Sequence, residues 1–222
     1  SGLNYLDSFS GIGGAVSTTG APSGDNTVTA TTTGATGGLV TVSSASATAS
    51  QTVTTNLTVA GGAKLTATNI SVETDSILSV SAASDGGGGG GISIGAGTTS
   101  TTGKHYSTLT IGSDAKLTAT NDILISADGD TTVAGRAITG NYGLGAGADA
   151  TSNVYLDYGI KTFVNGDLTA GNLITVESRG YANGDAYAEV DAGGLGVGAH
   201  SYSHVRIGTS GEESALTRTE VQ

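Results

Sequence analysis

Three histidines and a scatter of carboxylates are the side chains with which this sequence could do chemistry. His200 and His204 fall on one face of an extended strand. Four residues along a strand span about 13 Å, so the pair cannot share one metal ion without ligands from elsewhere. His105 has no partner at a ligand spacing, and all three histidines read as exposed strand or turn residues. The acidic groups are Asp128-Gly129-Asp130, Asp185 with Glu189 and Asp191, and Glu212-Glu213. Calcium asks for roughly six to eight oxygens, usually on one tight loop. The glycine-rich calcium nonapeptide G-G-x-G-x-D-x-U-x is nowhere met in register, and Asp149 after Gly145-Ala146-Gly147-Ala148 is a distant echo of it. Weak calcium binding is the only cofactor reading left, and no metal ligand set can be named.

Glycan-cleaving enzymes need carboxylates and basic groups together in an aromatic-lined groove. Here the eight tyrosines are scattered, tryptophan is absent, and Arg136, Arg179, Arg206 and Arg218 stand at no recognisable spacing from carboxylates. No nucleophile and base can be paired, so the chain reads as a non-enzyme with no catalytic or cofactor-binding residue. Tyr142 and Tyr181 are the aromatic residues to test for a sugar contact. The glycine-rich stretches lack a following Lys-Ser/Thr pair, which removes the phosphate-loop reading. The threonine runs Thr27 to Thr33 and Thr98 to Thr102 raise ice binding, which needs a regular Thr-x-Thr array. They sit at irregular places, often at turns, and read as strand formers. The sequons at Asn56 and Asn69 are what chance gives in an Asn- and Thr-rich chain.

The elements that must position these residues are thin. The 222 residues include 38 glycines and one proline, with two phenylalanines and no cysteine, methionine or tryptophan. A thick globular core cannot be built from this set, and cysteine chemistry is excluded. The net charge is −11 with eight Lys and Arg, which argues against nucleic acid and anionic membrane surfaces as partners. No apolar run approaches the ~20 residues of a membrane helix. Ser1 is not a natural start and Glu220-Val221-Gln222 shows no cap, so the chain reads as a fragment of a longer protein.

Alternation marks strands throughout. Val53, Thr55, Leu57 and Val59 share one face. Leu65-Thr66-Ala67-Thr68-Asn69 returns as Leu117-Thr118-Ala119-Thr120-Asn121 and as Leu168-Thr169-Ala170-Gly171-Asn172. Each copy leads into a second short strand, Ile70-x-Val72, Ile123-x-Ile125 or Ile174-x-Val176, with the Asn at a corner where left-handed backbone suits it. A second marker, Ile94-Gly95-Ala96-Gly97, recurs at Leu144 and Leu195, with Leu39 as an older copy. Gly193-Gly194 shifts the alternation and reads as a turn or bulge. Gly86 to Gly91 and Gly140 to Gly143 read as loops.

A period near fifty residues means an array whose units bury their apolar edges against one another. The expected fold is all-β: a parallel β-helix, right-handed, with two or three coils in each ~50-residue unit. Some 9–11 coils would then make a rod about 45–50 Å long. Residues 1–36 read as atypical strands or a preceding repeat, with Leu3, Tyr5, Leu6 and Phe9 as a strand from the preceding unit or an edge-pairing segment. Residues 37–222 read as solenoid, in units near 37–56, 57–106, 107–155, 156–205 and 206–222.

Leu109-Thr110-Ile111-Gly112-Ser113-Asp114-Ala115-Lys116-Leu117-Thr118-Ala119 and Gly193-Gly194-Leu195-Gly196-Val197-Gly198-Ala199 resemble the repeat regions of large bacterial exoproteins. These are the filamentous-haemagglutinin-like adhesins and type V (autotransporter or two-partner) passengers, and the likeness covers residues 37–222. It implies a right-handed β-helix, export across the outer membrane to the cell surface, and adhesion or filament formation. The partners implied are neighbouring repeats, other copies of the chain, and surface glycans or proteins.

Overall fold

The computed structural model describes residues 16–20, 25–208 and 216–221. Among them strand is the only regular structure, in ten elements: β1 (Val16–Gly20), β2 (Asp25–Val59), β3 (Lys64–Ala67), β4 (Ile70–Ile111), β5 (Lys116–Ala119), β6 (Asp122–Val164), β7 (Asp167–Ala170), β8 (Leu173–Gly193), β9 (Gly196–Ile207) and β10 (Leu216–Val221). Strands β2, β4 and β6 run parallel, and β8, β9 and β10 all pair with β6. Strands β3, β5 and β7 form a short parallel sheet, with Leu65, Leu117 and Leu168 level across it. The all-β parallel solenoid is the observed fold.

The number of coils differs from expectation. Asp25 pairs with Ile77, Ile77 with Asp130, and Asp130 with Tyr181, steps of 52, 53 and 51 residues. One unit is therefore one coil, not two or three. Each long strand runs out, reverses at a glycine-rich tip and returns with its inner face against its own outbound half. Thr74 Oγ1 meets Ser107 Oγ at 2.9 Å, and Asn141 Nδ2 donates to the Gly147 carbonyl at 3.1 Å. Uninterrupted alternation keeps each half straight and leaves no corner for an extra coil. With ~20 residues per half, the coil is a flattened loop about 65 Å broad, and four coils stack to less than about 20 Å.

Gly86 to Gly90 and Gly140 to Gly143 are strand residues, not loops: Gly34, Gly86 and Thr139 lie side by side in the ladder. A Cβ on Gly34 or Gly86 would lie 3.0 Å from the carbonyl oxygen of Ser44 or Ala96. Bare glycine lets the two sheets close on each other there. The break expected at Gly193-Gly194 holds, since β8 ends at Gly193. The second marker is out of step, because Leu144 stands level with Leu195 while Ile94 pairs with Gly147.

Residues 25–36 belong to the first coil, so a boundary at 36/37 falls inside β2. At the other edge of β2, strand β1 pairs antiparallel, from Val16 against Val59 to Gly20 against Thr55. Leu3, Tyr5, Leu6 and Phe9 lie outside the described residues. The Asn corners hold their place through side chains: Asn121 Nδ2 donates to Asn69 Oδ1 at 2.9 Å. Among the described residues the left-handed positions are instead Gly62 and Asp114, on the turn before the short strand, and Gly208, just after β9.

The core narrows toward the tip. Its wide end packs Leu57, Val59, Leu109, Ile111, Leu117, Ile123 and Ile125. A second apolar cluster holds Val53, Leu78, Val80, Val133, Val154 and Leu156. Between them lies a buried polar layer with His105 at its centre.

Candidate functional site

Alternation sends every second residue of the outbound strands to solvent, and the ladder sets these residues in rows across the coils. Asp75, Asp128 and Arg179 form one row, and Ile77, Asp130 and Tyr181 the next. All of these but Ile77, together with Gly129 and Gly180, line a shallow cleft of about 350 Å³. Arg179 Nη2 pairs with Glu177 Oε2 at 2.9 Å. Burial raises the Asp128 carboxyl above its ordinary value, while a hydrogen bond from the Ser126 hydroxyl and the Arg179 guanidinium pull it back. Farther toward the tip, the Arg136 guanidinium lies 5.9 Å over the Tyr187 ring. The Tyr187 hydroxyl donates to Glu189 at 2.7 Å and the Tyr142 hydroxyl donates to Asp191. Both phenols are raised by these bonds to carboxylates.

Arginine, carboxylate and tyrosine therefore do share a face, contrary to the linear spacing. Asp128 and Arg179 are 51 residues apart and neighbours in space. Writing the sequence in rows of about 52 would have shown it. Arg218 likewise pairs with Glu220, two residues on and on the same strand face. Tyr142 and Tyr181 are both exposed on this face. The strip offers acceptors, guanidinium groups and aromatic surfaces, the set a polyhydroxylated ligand uses.

The return strands carry a second, smaller cleft of about 260 Å³, bordered by Lys104, Tyr155, Asp157 and Arg206. The Tyr106 hydroxyl donates to Asp157 at 2.7 Å. Burial, helped by that bond, pushes the phenol up to about 12. His200 is exposed, 3.5 Å from Asp149. His204 is half-buried, stacked on Tyr202 and tilted against Tyr155.

His105 corrects the expectation of an exposed histidine. It is fully buried, with Nε2 2.7 Å from Ser76 Oγ and Nδ1 2.8 Å from Thr131 Oγ1. Desolvation lowers its pKa from 6.5 to about 4, against the opposing pull of Asp130. A neutral ring between two hydroxyls is a structural part, since a charged one would be costly there.

Among the described residues no three of His, Cys, Asp and Glu come together to hold a metal ion, and no helix is long and apolar enough to cross a membrane. Glu212 and Glu213 lie outside those residues. Thr27, Thr29, Thr31 and Thr33 do form one regular exposed row, but Ser79, Ser81, Ala83 and Asp85 stand beside them on the next coil. The array that ice binding requires is not repeated. No family model matches the chain, and no curated protein or solved structure matches it either.

Proposed function

We propose that this chain is a structural and adhesive segment of a large secreted bacterial surface protein: a rigid β-helical stalk that displays contacts for adhesion or cell–cell attachment. One observation carries the reading. The inward rows repeat from coil to coil, as in Leu65, Leu117 and Leu168, while the outward rows change, as in Thr29, Ser81, Ala134 and Asp185. A constant backbone scaffold with a variable exterior is what display requires. The Tyr181–Tyr187–Tyr142 strip on the outbound face is the contact surface in this reading, with glycans or proteins of a cell surface as partners.

The test is adherence of chain-coated beads to cells and to immobilised glycans. Wild-type beads should bind, and Tyr181→Ala with Tyr187→Ala should lower retention several-fold while leaving circular dichroism unchanged. Retention unaffected by the tyrosines would remove this face as the contact. Beads that adhere to nothing would sink the adhesive role. A second reading, a self-assembling extracellular fibre subunit, draws on the outer edges of β8 and β9, which have no strand partner among the described residues. Unpaired edges template other chains. Filaments growing with concentration under the electron microscope would favour it.

A further inference from the structure

The outward face of the return strands has a size pattern that changes side between rows. In the two rows nearest the tip the bulk lies on the first two coils: Val40 and Ile92, then Val42 and Ile94. The third and fourth coils present only glycine there, Gly145 with Gly196 and Gly147 with Gly198. Farther from the tip the pattern inverts. Tyr202 stands beyond Ser46, and Tyr155 and Arg206 beyond Ser50 and Thr102. Val42 is 70% exposed and Ile94 54%, so among the described residues nothing covers the ridge. A Cβ on Gly145 or Gly198 would meet nothing within 4 Å.

We infer that this face binds a second copy of the same chain, face to face, about a two-fold axis parallel to the strands and between the second and third coils. That operation keeps the position along the strand and inverts the coil order. Val40 then faces Gly196 of the other copy, Ile94 faces Gly147, and Ser46 faces Tyr202. Every large side chain meets a small one, and each contact occurs twice, as an isologous interface demands. Six rows of four strands cover about 750 Å² per copy, close to the ~800 Å² of a standard stable interface.

Charge points the same way. Asp75, Asp85, Asp128, Asp130, Asp185 and Glu189 crowd the outbound face. Within these six return rows the carboxylate Asp149 lies beside His200, and Arg206 adds a positive charge three rows farther from the tip. A strongly acidic chain can meet its own copy here with little repulsion. The inference does not rest on the adhesive reading.

The test is sedimentation velocity over a concentration series with three forms of the full chain. Wild type should dimerise reversibly. Gly147→Ile sets bulk against Ile94 of the other copy and should weaken the dimer by at least about tenfold. It should leave the monomer folded, because the new Cβ would lie 3.8 Å from the Ile94 side chain, an ordinary contact. The double variant Ile94→Gly with Gly147→Ile exchanges ridge and floor and should restore the dimer. A wild type that stays monomeric, a dimer indifferent to Gly147→Ile, or one the double variant fails to restore would each overturn the proposal.

Discussion

His105 is the residue whose chemistry bears most directly on stability. Its folded pKa of about 4 lies below the ordinary 6.5, so between those values the unfolded chain holds the proton and the folded chain does not. The stabilising contribution is therefore complete above about pH 6.5 and is lost as the pH falls toward about 4. The full loss is about 3 kcal/mol, of which about 2 should be gone at about pH 5. Urea denaturation at the two ends of that window reads it. In His105→Phe the hydroxyls of Ser76 and Thr131 lose their ring partner, so that variant should be weaker at neutral pH by about 1–3 kcal/mol. Its stability should also change less across the window. An unchanged slope would move the acid sensitivity to other groups.

At the scale of elements, the short sheet offers a comparison at constant local sequence. Leu65, Leu117 and Leu168 occupy one row, but Leu117 is fully buried between two coils while Leu168 is half-buried. Leu117→Ala should cost about 2–5 kcal/mol in a denaturant melt, and Leu168→Ala distinctly less. Equal losses would mean that the coils do not share one core. These leucines also mark how far the sequence could be read. Their alternation and repeat identified strand, face and period without coordinates. The path of the coil was not legible, because a run such as Ile70 to Ile111 has the same alternation whether it turns corners or runs straight. Gly86 to Gly90 misled for a related reason: glycine makes a loop where nothing pairs with it, but here the coils on both sides supply ladder partners. The burial of His105 was hidden too, since its phase matches Val53 and Tyr158, its neighbours in the row, only once the 52- and 53-residue shifts are known. The outbound strip was hidden in the same way, its members being one coil apart.

For the whole molecule, the stacking order sets where the structure is firm. Strands β4 and β6 have parallel neighbours on both sides along most of their length, whereas among the described residues β8 and β9 have a ladder partner on one side only, β6. The coil is also long for the thickness it adds: one step up the ladder takes 52 residues and gains about 5 Å. Pulled from its ends, such a chain behaves like a folded tether. Peeling off one coil removes about 5 Å of stack and frees about 180 Å of extended polypeptide. An optical trap should record a staircase of such increments, each ladder yielding in turn. Increments a third to a half of that size would contradict a single coil per repeat. If the chain serves as the stalk proposed above, lengthening in large, separate steps would let it hold a load while its anchor points drift apart, dissipating work before the bond at its tip has to break.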